Sequence, residues 1–311
     1  MAPLTMDKLK GNWATLLLSL TPSAAIDWDL LAHEVDYLIG AGVDGIYSNG
    51  TAGEFYNLEE EEIRRVNEIL AQKCQVVGMP YQIGASDTNP TVSLRRIENL
   101  KHLLPSAFQV ILPDWVAPTA DEQVAFLTRI AEQAAPAPLV LYNPPHAKRL
   151  LTPPALDRLA DLVPALIGIK VAGGDRSWYV AMKPLADKLA IFVPGHHLAT
   201  GMAAGVAAGA YSNVACLSPL GAQRWYTMML SDMNEALAIE QLLLGFFNKA
   251  IDPLKEAGYS NPALDKFLAA VGGWCPISTM VRWPYSSVPE AALSQARKDA
   301  RKMLPSFFFE H

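Results

Sequence analysis

A lysine becomes a nucleophile when an apolar setting strips water from its ammonium form, because the neutral amine then survives near neutral pH. Lys170 has such a setting: it closes the apolar run 166–169. Its amine is suited to attack a carbonyl carbon and form a Schiff base. Tyr142 closes a second apolar run, 139–141, and brings a phenol that can donate or accept a proton. Between the two runs, residues 151–162 have helical spacing behind Thr152 as N-cap and two prolines. Strand, helix and strand make a βαβ unit, and parallel α/β folds do their chemistry at the C-terminal ends of the strands. A strand-ending lysine also occurs wherever its stem packs on apolar surface and its head reaches water. The pair alone therefore does not decide. A third stretch adds weight: GTAGE, residues 50–54. Its two glycines permit a tight turn that bares backbone N–H groups able to hold a carboxylate. Thr51 adds a hydroxyl that donates and accepts. By itself this turn reads equally well as an ordinary strand-to-helix connection.

The elements that must position these groups follow a regular rhythm. The pattern predicts strands at 13–20, 43–47, 76–83, 108–112, 139–142, 166–169, 190–193 and 210–215. Helices are predicted between them at 27–39, 58–72, 88–104, 119–134, 151–162, 178–188 and 198–207. Strands alternating with helices argue for parallel pairing, and eight such units argue for a closed (β/α)8 TIM barrel. An open doubly wound sheet would want a GxGxxG turn after an early strand, which GTAGE does not supply. The acidic run 59–62 complements the dipole of the helix it opens and needs no metal. Past residue 220 the strand signal stops. Helices are predicted at 224–230, 234–256, 262–271 and 289–303. The organisation is thus a barrel over 1–220 and a helical C-terminal extension over 221–311 packed on it.

Composition narrows the function classes. Of 311 residues, 51% are hydrophobic and 18% charged, which suits a globular enzyme with a large core. The net charge is −6 with no basic stripe, which argues against nucleic acid as a partner. Cys74, Cys216 and Cys275 are far apart and lack CxxC spacing, so neither a disulfide framework nor a zinc site is expected. No HExxH and no eighteen-residue apolar run occurs, and the N-terminus lacks a secretory pattern. The expectation is a cytoplasmic protein with no metal and no membrane contact.

Taken together, the motifs identify a family. The order Leu20-Thr21-Pro22, GVDG…GTAGE, YNPP, GIK and Pro194-Gly195 resembles the dihydrodipicolinate synthase and N-acetylneuraminate lyase superfamily, the pyruvate-type class I aldolases. The likeness covers nearly everything up to residue 220, with an echo at residues 281–284. It implies a homotetramer or dimer, and a Schiff base between Lys170 and a 2-oxo acid. It implies that Tyr142, assisted by Thr51, relays protons at the substrate's C4 oxygen. It implies that the backbone N–H groups of Ala52 and Gly53 hold the carboxylate. No metal or organic cofactor is called for, since the iminium itself is the electron sink. The partners implied are pyruvate or another 2-oxo acid and an aldehyde.

Departures from the family pattern bear on the substrate. Ala52 stands where the family has a hydroxyl residue. Trp115 stands where the synthases carry a tyrosine that reaches a neighbouring subunit, and an indole donates but cannot relay a proton. Ala147 stands where the synthases carry the arginine that binds the aldehyde's carboxylate, with His146, Lys148 and Arg149 beside it. After the seventh strand come Gly195, His196 and His197, where the lyases contact a sugar-like tail; Ser212, after the eighth, is placed to face the pocket. Trp178, Trp274 and Trp283 read as core or interface. The reading is a Schiff-base aldolase or lyase acting on pyruvate or a 4-hydroxy-2-oxo acid, not a true dihydrodipicolinate synthase. The alternatives are a 2-keto-3-deoxy sugar acid dehydratase using the same iminium, and a non-catalytic barrel that binds 2-oxo acids.

Overall fold

The computed structural model describes residues 1–308. Eight parallel strands close into a barrel in chain order: β1 (Gly11–Thr15), β2 (Gly45–Ser48), β3 (Tyr81–Gly84), β4 (Ala107–Ile111), β5 (Leu139–Tyr142), β6 (Leu166–Lys170), β7 (Ala190–Pro194) and β8 (Ala207–Tyr211). The helices outside them are α1 (Trp28–Gly40), α2 (Glu60–Val77), α3 (Pro90–Leu100), α4 (Ala120–Ala134), α5 (Pro153–Leu162), α6 (Arg176–Met182) and α7 (Leu198–Ala203). After β8 the chain is helical: α8 (Asn213–Leu217), α9 (Pro219–Ser231), α10 (Met233–Ala250), α11 (Asp252–Glu256), α12 (Asn261–Gly272) and α13 (Leu293–Met303). The (β/α)8 barrel with C-terminal helices is therefore as the sequence predicts.

Two apolar layers hold it together. Leu9, Trp13, Tyr47, Val140, Phe192 and Tyr211 fill the barrel interior, with Phe192 and Tyr211 stacked at 4.5 Å between ring centres. A larger layer, including Leu31, Val35, Leu70, Ile97, Leu127, Ile169 and Phe267, fills the space between the barrel and the helices. Inward and outward residues alternate along each strand, so one strand serves both layers. Helix starts follow local chemistry: Asp27 caps α1 through the Leu30 N–H, and Thr119 and Glu122 form a reciprocal capping box on α4.

Several boundaries differ from the sequence pattern. The run 76–83 is not one strand. Val76 and Val77 continue α2, largely exposed, until Gly78 ends it at φ 71°, and β3 begins only at Tyr81, after Pro80. The run 13–20 leaves the sheet at Thr15. Leu17 N then donates to the buried Glu34 carboxylate at 2.7 Å, and Leu20 pairs with Ile26 in an isolated antiparallel bridge. The eighth strand is Ala207–Tyr211 rather than 210–215, because Ser212 caps a new helix, α8. The helix expected to run to 207 ends at Ala203, where Gly205 turns the chain at φ 67° into β8. The single helix expected over 234–256 breaks near Pro253, which lacks the N–H that would continue it.

Candidate active site

Register brings the two chemical side chains together. β5 and β6 are neighbours in the barrel, and Tyr142 pairs directly with Lys170 at their C-terminal ends. Both therefore project into the same mouth. The Lys170 ammonium lies 4.5 Å from the centre of the Tyr142 ring, 5.2 Å from that of Tyr47 and 5.6 Å from that of Tyr211. Its Nζ donates to the Tyr47 hydroxyl at 3.4 Å. Burial beneath three rings pulls the Lys170 pKa down to about 8, partly offset by the negative charge of Asp265. Burial raises the Tyr142 phenol above its ordinary value, and a hydrogen bond with Thr51 draws it partly back.

The GTAGE turn stands beside them. Gly53 lies where a Cβ would come within 3.0 Å of the Leu16 carbonyl, so only glycine fits without displacing backbone. Glu54 takes a left-handed conformation at φ 51°. The N–H groups of Ala52 and Gly53 have no acceptor among the described residues. Ala52 is buried and lines the chamber. A second clamp holds the turn from behind. Lys266 of α12 places Nζ 2.7 Å from Glu54 Oε1, with both side chains fully buried. Arg282 N donates to Glu54 Oε2 at 2.9 Å. The Arg282 guanidinium binds both Glu62 oxygens at 2.6 Å and reaches the carbonyls of Asn57 and Ala24. The acidic run before α2 thus serves capping and ion pairing: Glu59 and Glu62 form a capping box, and Glu60 and Glu61 pair with Arg96 and Arg64.

The mouth contains two connected chambers. The inner one, about 450 Å³, is lined by Thr51, Ala52, Tyr142, Lys170, His196, His197, Ser212 and Asp265 among others. The outer one, about 640 Å³, is lined mainly by apolar groups such as Phe55, Ile111, Leu112, Pro118 and Tyr259, with Arg149 and Lys255 as its cations. The chambers share Thr51, Tyr142, Lys255 and Asn261. Lys170 opens into the inner, smaller one.

His196 and His197 line the inner chamber. His196 stacks on Phe247 at 4.9 Å, and its Nδ1 lies 2.8 Å from Asn213 Nδ2. The amide is a donor, so Nδ1 accepts and the imidazole is neutral; burial pulls its pKa down to about 4. Other expected residues take different roles. Ser212 lines the chamber, but its Oγ accepts the Ala215 N–H and caps α8. Gly195 does not line it: this glycine packs so tightly that a Cβ would meet Ser212 Oγ at 2.6 Å. Gly53, within the turn, does not line the chamber. Trp115 lines neither chamber. Its side chain is 79% exposed, with Lys148 Nζ 4.6 Å above the ring. Trp283 is likewise 86% exposed and so is not core, whereas Trp274 packs on Tyr37 at 5.1 Å.

Sequence pattern alone missed Tyr47, Tyr211, Cys216 and Asp265, all in the inner chamber. Asp265 carried a signal: Asp265 and Lys266 interrupt an otherwise apolar run, 262–271, in which no solvent-facing stripe is spared. Burial raises the Asp265 carboxyl to about 7, against the pull of Lys170. No group of three or more His, Cys, Asp or Glu among the described residues could hold a metal ion. No helix among them is long and apolar enough to cross a membrane.

Comparison with known proteins places this geometry. The model of the dihydrodipicolinate synthetase family matches residues 8–303. The chain belongs to this family. Its members are lyases, and the chain is an enzyme of that kind. It is 28% identical over 299 residues to a 4-hydroxy-tetrahydrodipicolinate synthase of Jannaschia sp. (strain CCS1), covering 94% of this chain and 98% of the relative. Among solved structures, a prophage protein of the family from E. coli K12, in complex with pyruvate, superposes with a TM-score of 0.83 at 22% identity, covering 95% of this chain and 98% of that one. CdNal from Clostridium difficile, in complex with mannosamine, gives 0.82 at 17% identity, covering 95% and 99%. These two likenesses establish the shared fold.

Proposed function

We propose that this protein is a Schiff-base aldolase that makes or cleaves 4-hydroxy-2-oxo acids, with pyruvate as the common fragment. The observation that carries the reading is the β5–β6 register, which sets a desolvated amine opposite a buried phenol. The neutral Lys170 amine adds to the keto carbon, and Tyr142, with Thr51 as a short route for its proton, serves the adduct oxygen as water leaves. The free N–H groups of the GTAGE turn hold the carboxylate. The loss of a hydroxyl at Ala52 costs one donor but leaves the backbone donors in place. The iminium then accepts the electron pair of a breaking C3–C4 bond.

The outer chamber takes the aldehyde fragment. Its lining supports a bulky apolar tail, and its entrance offers Ala147 rather than the carboxylate-binding arginine of the synthases. Arg149 is engaged by the Pro118 carbonyl at 2.6 Å. True dihydrodipicolinate synthesis is therefore not the reading favoured here.

The test is borohydride reduction with pyruvate, read by intact mass, with Lys170→Ala as control. One reduced pyruvate is expected on the native chain and none on the variant; trapping retained in the variant sinks the assignment. A screen of 4-hydroxy-2-oxo acids with short, carboxylated or phenyl tails then reads pyruvate release. A dicarbonyl product without pyruvate would instead mark a dehydratase.

A further inference from the structure

The hydroxyl that the Lys170 amine engages is that of Tyr47, not that of Tyr142. Among the described residues the Lys170 side chain makes a single hydrogen bond, from Nζ to Tyr47 Oη at 3.4 Å, and no ion pair. Tyr47 reaches the barrel interior from β2 and is 2% exposed. Its ring also lies against the GTAGE turn. A Cβ on Gly50, the first residue of that turn, would meet the Tyr47 ring at 2.6 Å. One side chain thus touches the turn with its ring and the amine with its hydroxyl.

The ring is braced in turn. Tyr211, on β8, packs on it edge to face, with 4.6 Å between ring centres. The Tyr211 hydroxyl donates to Gln82 Oε1 at 2.7 Å, a bond that ties β8 to β3. The Tyr211 ring also stacks on Phe192 of β7.

Resting on Lys170 as the Schiff-base residue, we propose that Tyr47 is its positioning residue: the hydroxyl takes one N–H of the amine and so turns the nitrogen lone pair towards the chamber, at a spacing from the turn that the ring fixes and Tyr211 braces. The neutral amine has two N–H bonds and one lone pair, and only the lone pair attacks the keto carbon. On a flexible four-carbon stem that lone pair has many orientations, and few of them are productive. Because Tyr47 accepts, it engages an N–H and leaves the lone pair unblocked. The protons balance. The adduct oxygen leaves as water with one proton from the nitrogen and one supplied through Tyr142, and the iminium keeps the second N–H. That retained N–H is the one Tyr47 holds. At 3.4 Å the bond is long, which suits a partner that follows the nitrogen from tetrahedral to planar and tightens once substrate is bound. Proton transfer at the adduct oxygen stays with Tyr142.

The experiment compares Tyr47→Phe and Tyr211→Phe with the native enzyme by rapid-quench borohydride trapping of pyruvate, across pyruvate concentration and pH. Tyr47→Phe keeps the ring against Gly50, so half-saturation by pyruvate should stay within about twofold while the maximal trapping rate falls about 10- to 100-fold, the scale of a misplaced reacting group. The pH limb of trapping should move to lower pH, because the ammonium form loses its acceptor. The titratable groups that line the chamber with Lys170, among them Tyr142, Tyr211, Cys216, His196, His197 and Asp265, are unchanged in this variant. Tyr211→Phe should give a smaller loss in the same direction, since only the tie to Gln82 is cut. A purely structural role would lower the thermal midpoint and leave the rate and the limb of the folded molecules unmoved, and that result overturns the proposal. So does a raised half-saturation with an intact maximal rate. If circular dichroism shows Tyr47→Phe unfolded, Tyr211→Phe decides, and an unchanged maximal rate there refutes. Failure of the native enzyme to trap pyruvate at all would instead remove the Lys170 reading on which this one stands.

Discussion

Lys266→Met is the sharpest test of how the C-terminal helices hold the carboxylate turn. Methionine keeps most of the stem's volume but removes the ammonium. Glu54 would then sit at zero exposure without its ion-pair partner, keeping only the Arg282 N–H at 2.9 Å. The Met280 carbonyl would lose its 2.6 Å donor as well. Breaking a buried pair by removing one member costs about 3–5 kcal/mol, most of it the penalty of the stranded charge. The orphaned carbonyl adds about 1 kcal/mol. Urea denaturation at pH 7 should therefore show a loss of about 4–6 kcal/mol. The sign with pH follows from the stranded carboxylate. Protonation neutralises it in the folded variant, so the deficit should be smallest in acid and grow as the pH rises. Glu54→Gln/Lys266→Met should recover much of the loss, because a neutral pair leaves no charge behind. The reasoning fails if Lys266→Met costs under about 1 kcal/mol, or if the deficit is the same at pH 5 and pH 7.

Four further outcomes follow from the site. Pyruvate capture should rise with pH and level off above about 8, because only the neutral Lys170 amine attacks, and stopped-flow trapping reads this limb. Asp265→Asn removes the charge that favours the ammonium, so the limb should move to lower pH; an unmoved limb would separate the two groups electrostatically. Tyr142→Phe should lower kcat about 10²- to 10⁴-fold with little change in pyruvate KM, and Thr51→Val should reproduce part of that loss. His196 is neutral in the folded chain with its pKa held down near 4, so its contribution is fully present above its ordinary 6.5 and is lost as pH falls from there towards 4. Its full value is about 3 kcal/mol at most, and His196→Gln should flatten the stability–pH curve in that window.

Much of this was legible because the barrel is a repeated local pattern. Lys170 and Tyr142 could be read as partners from two apolar runs joined by one capped helix, and the register then aligned them as the rhythm required. Where the reading slipped, two signals competed. Val76 and Val77 have strong strand propensity, yet helix α2 carried them to Gly78, since nothing before that glycine stops it. Ser212 lines the inner chamber as its place after the eighth strand suggests, and its hydroxyl also accepts the Ala215 N–H in the first turn of α8. Trp115 stands exposed outside both chambers, with Lys148 over its ring.

Asp265 and Tyr47 show a deeper limit. Tyr47 pairs with Thr15 in the sheet and points inward with Trp13 and Tyr211, so its place under Lys170 is set by eight strands at once rather than by its neighbours in sequence. Asp265 lies 95 positions from Lys170 along the chain. What joins them is a helix from beyond the barrel lying across its mouth. That helix spends consecutive residues on two tasks: Asp265 faces the chamber, and Lys266 fixes the GTAGE turn through Glu54. A tilt of α12 would alter both together, because one rigid turn of helix carries them. The outer chamber takes only the first turn of that helix, Asn261 and Pro262, and draws the rest of its lining from other segments.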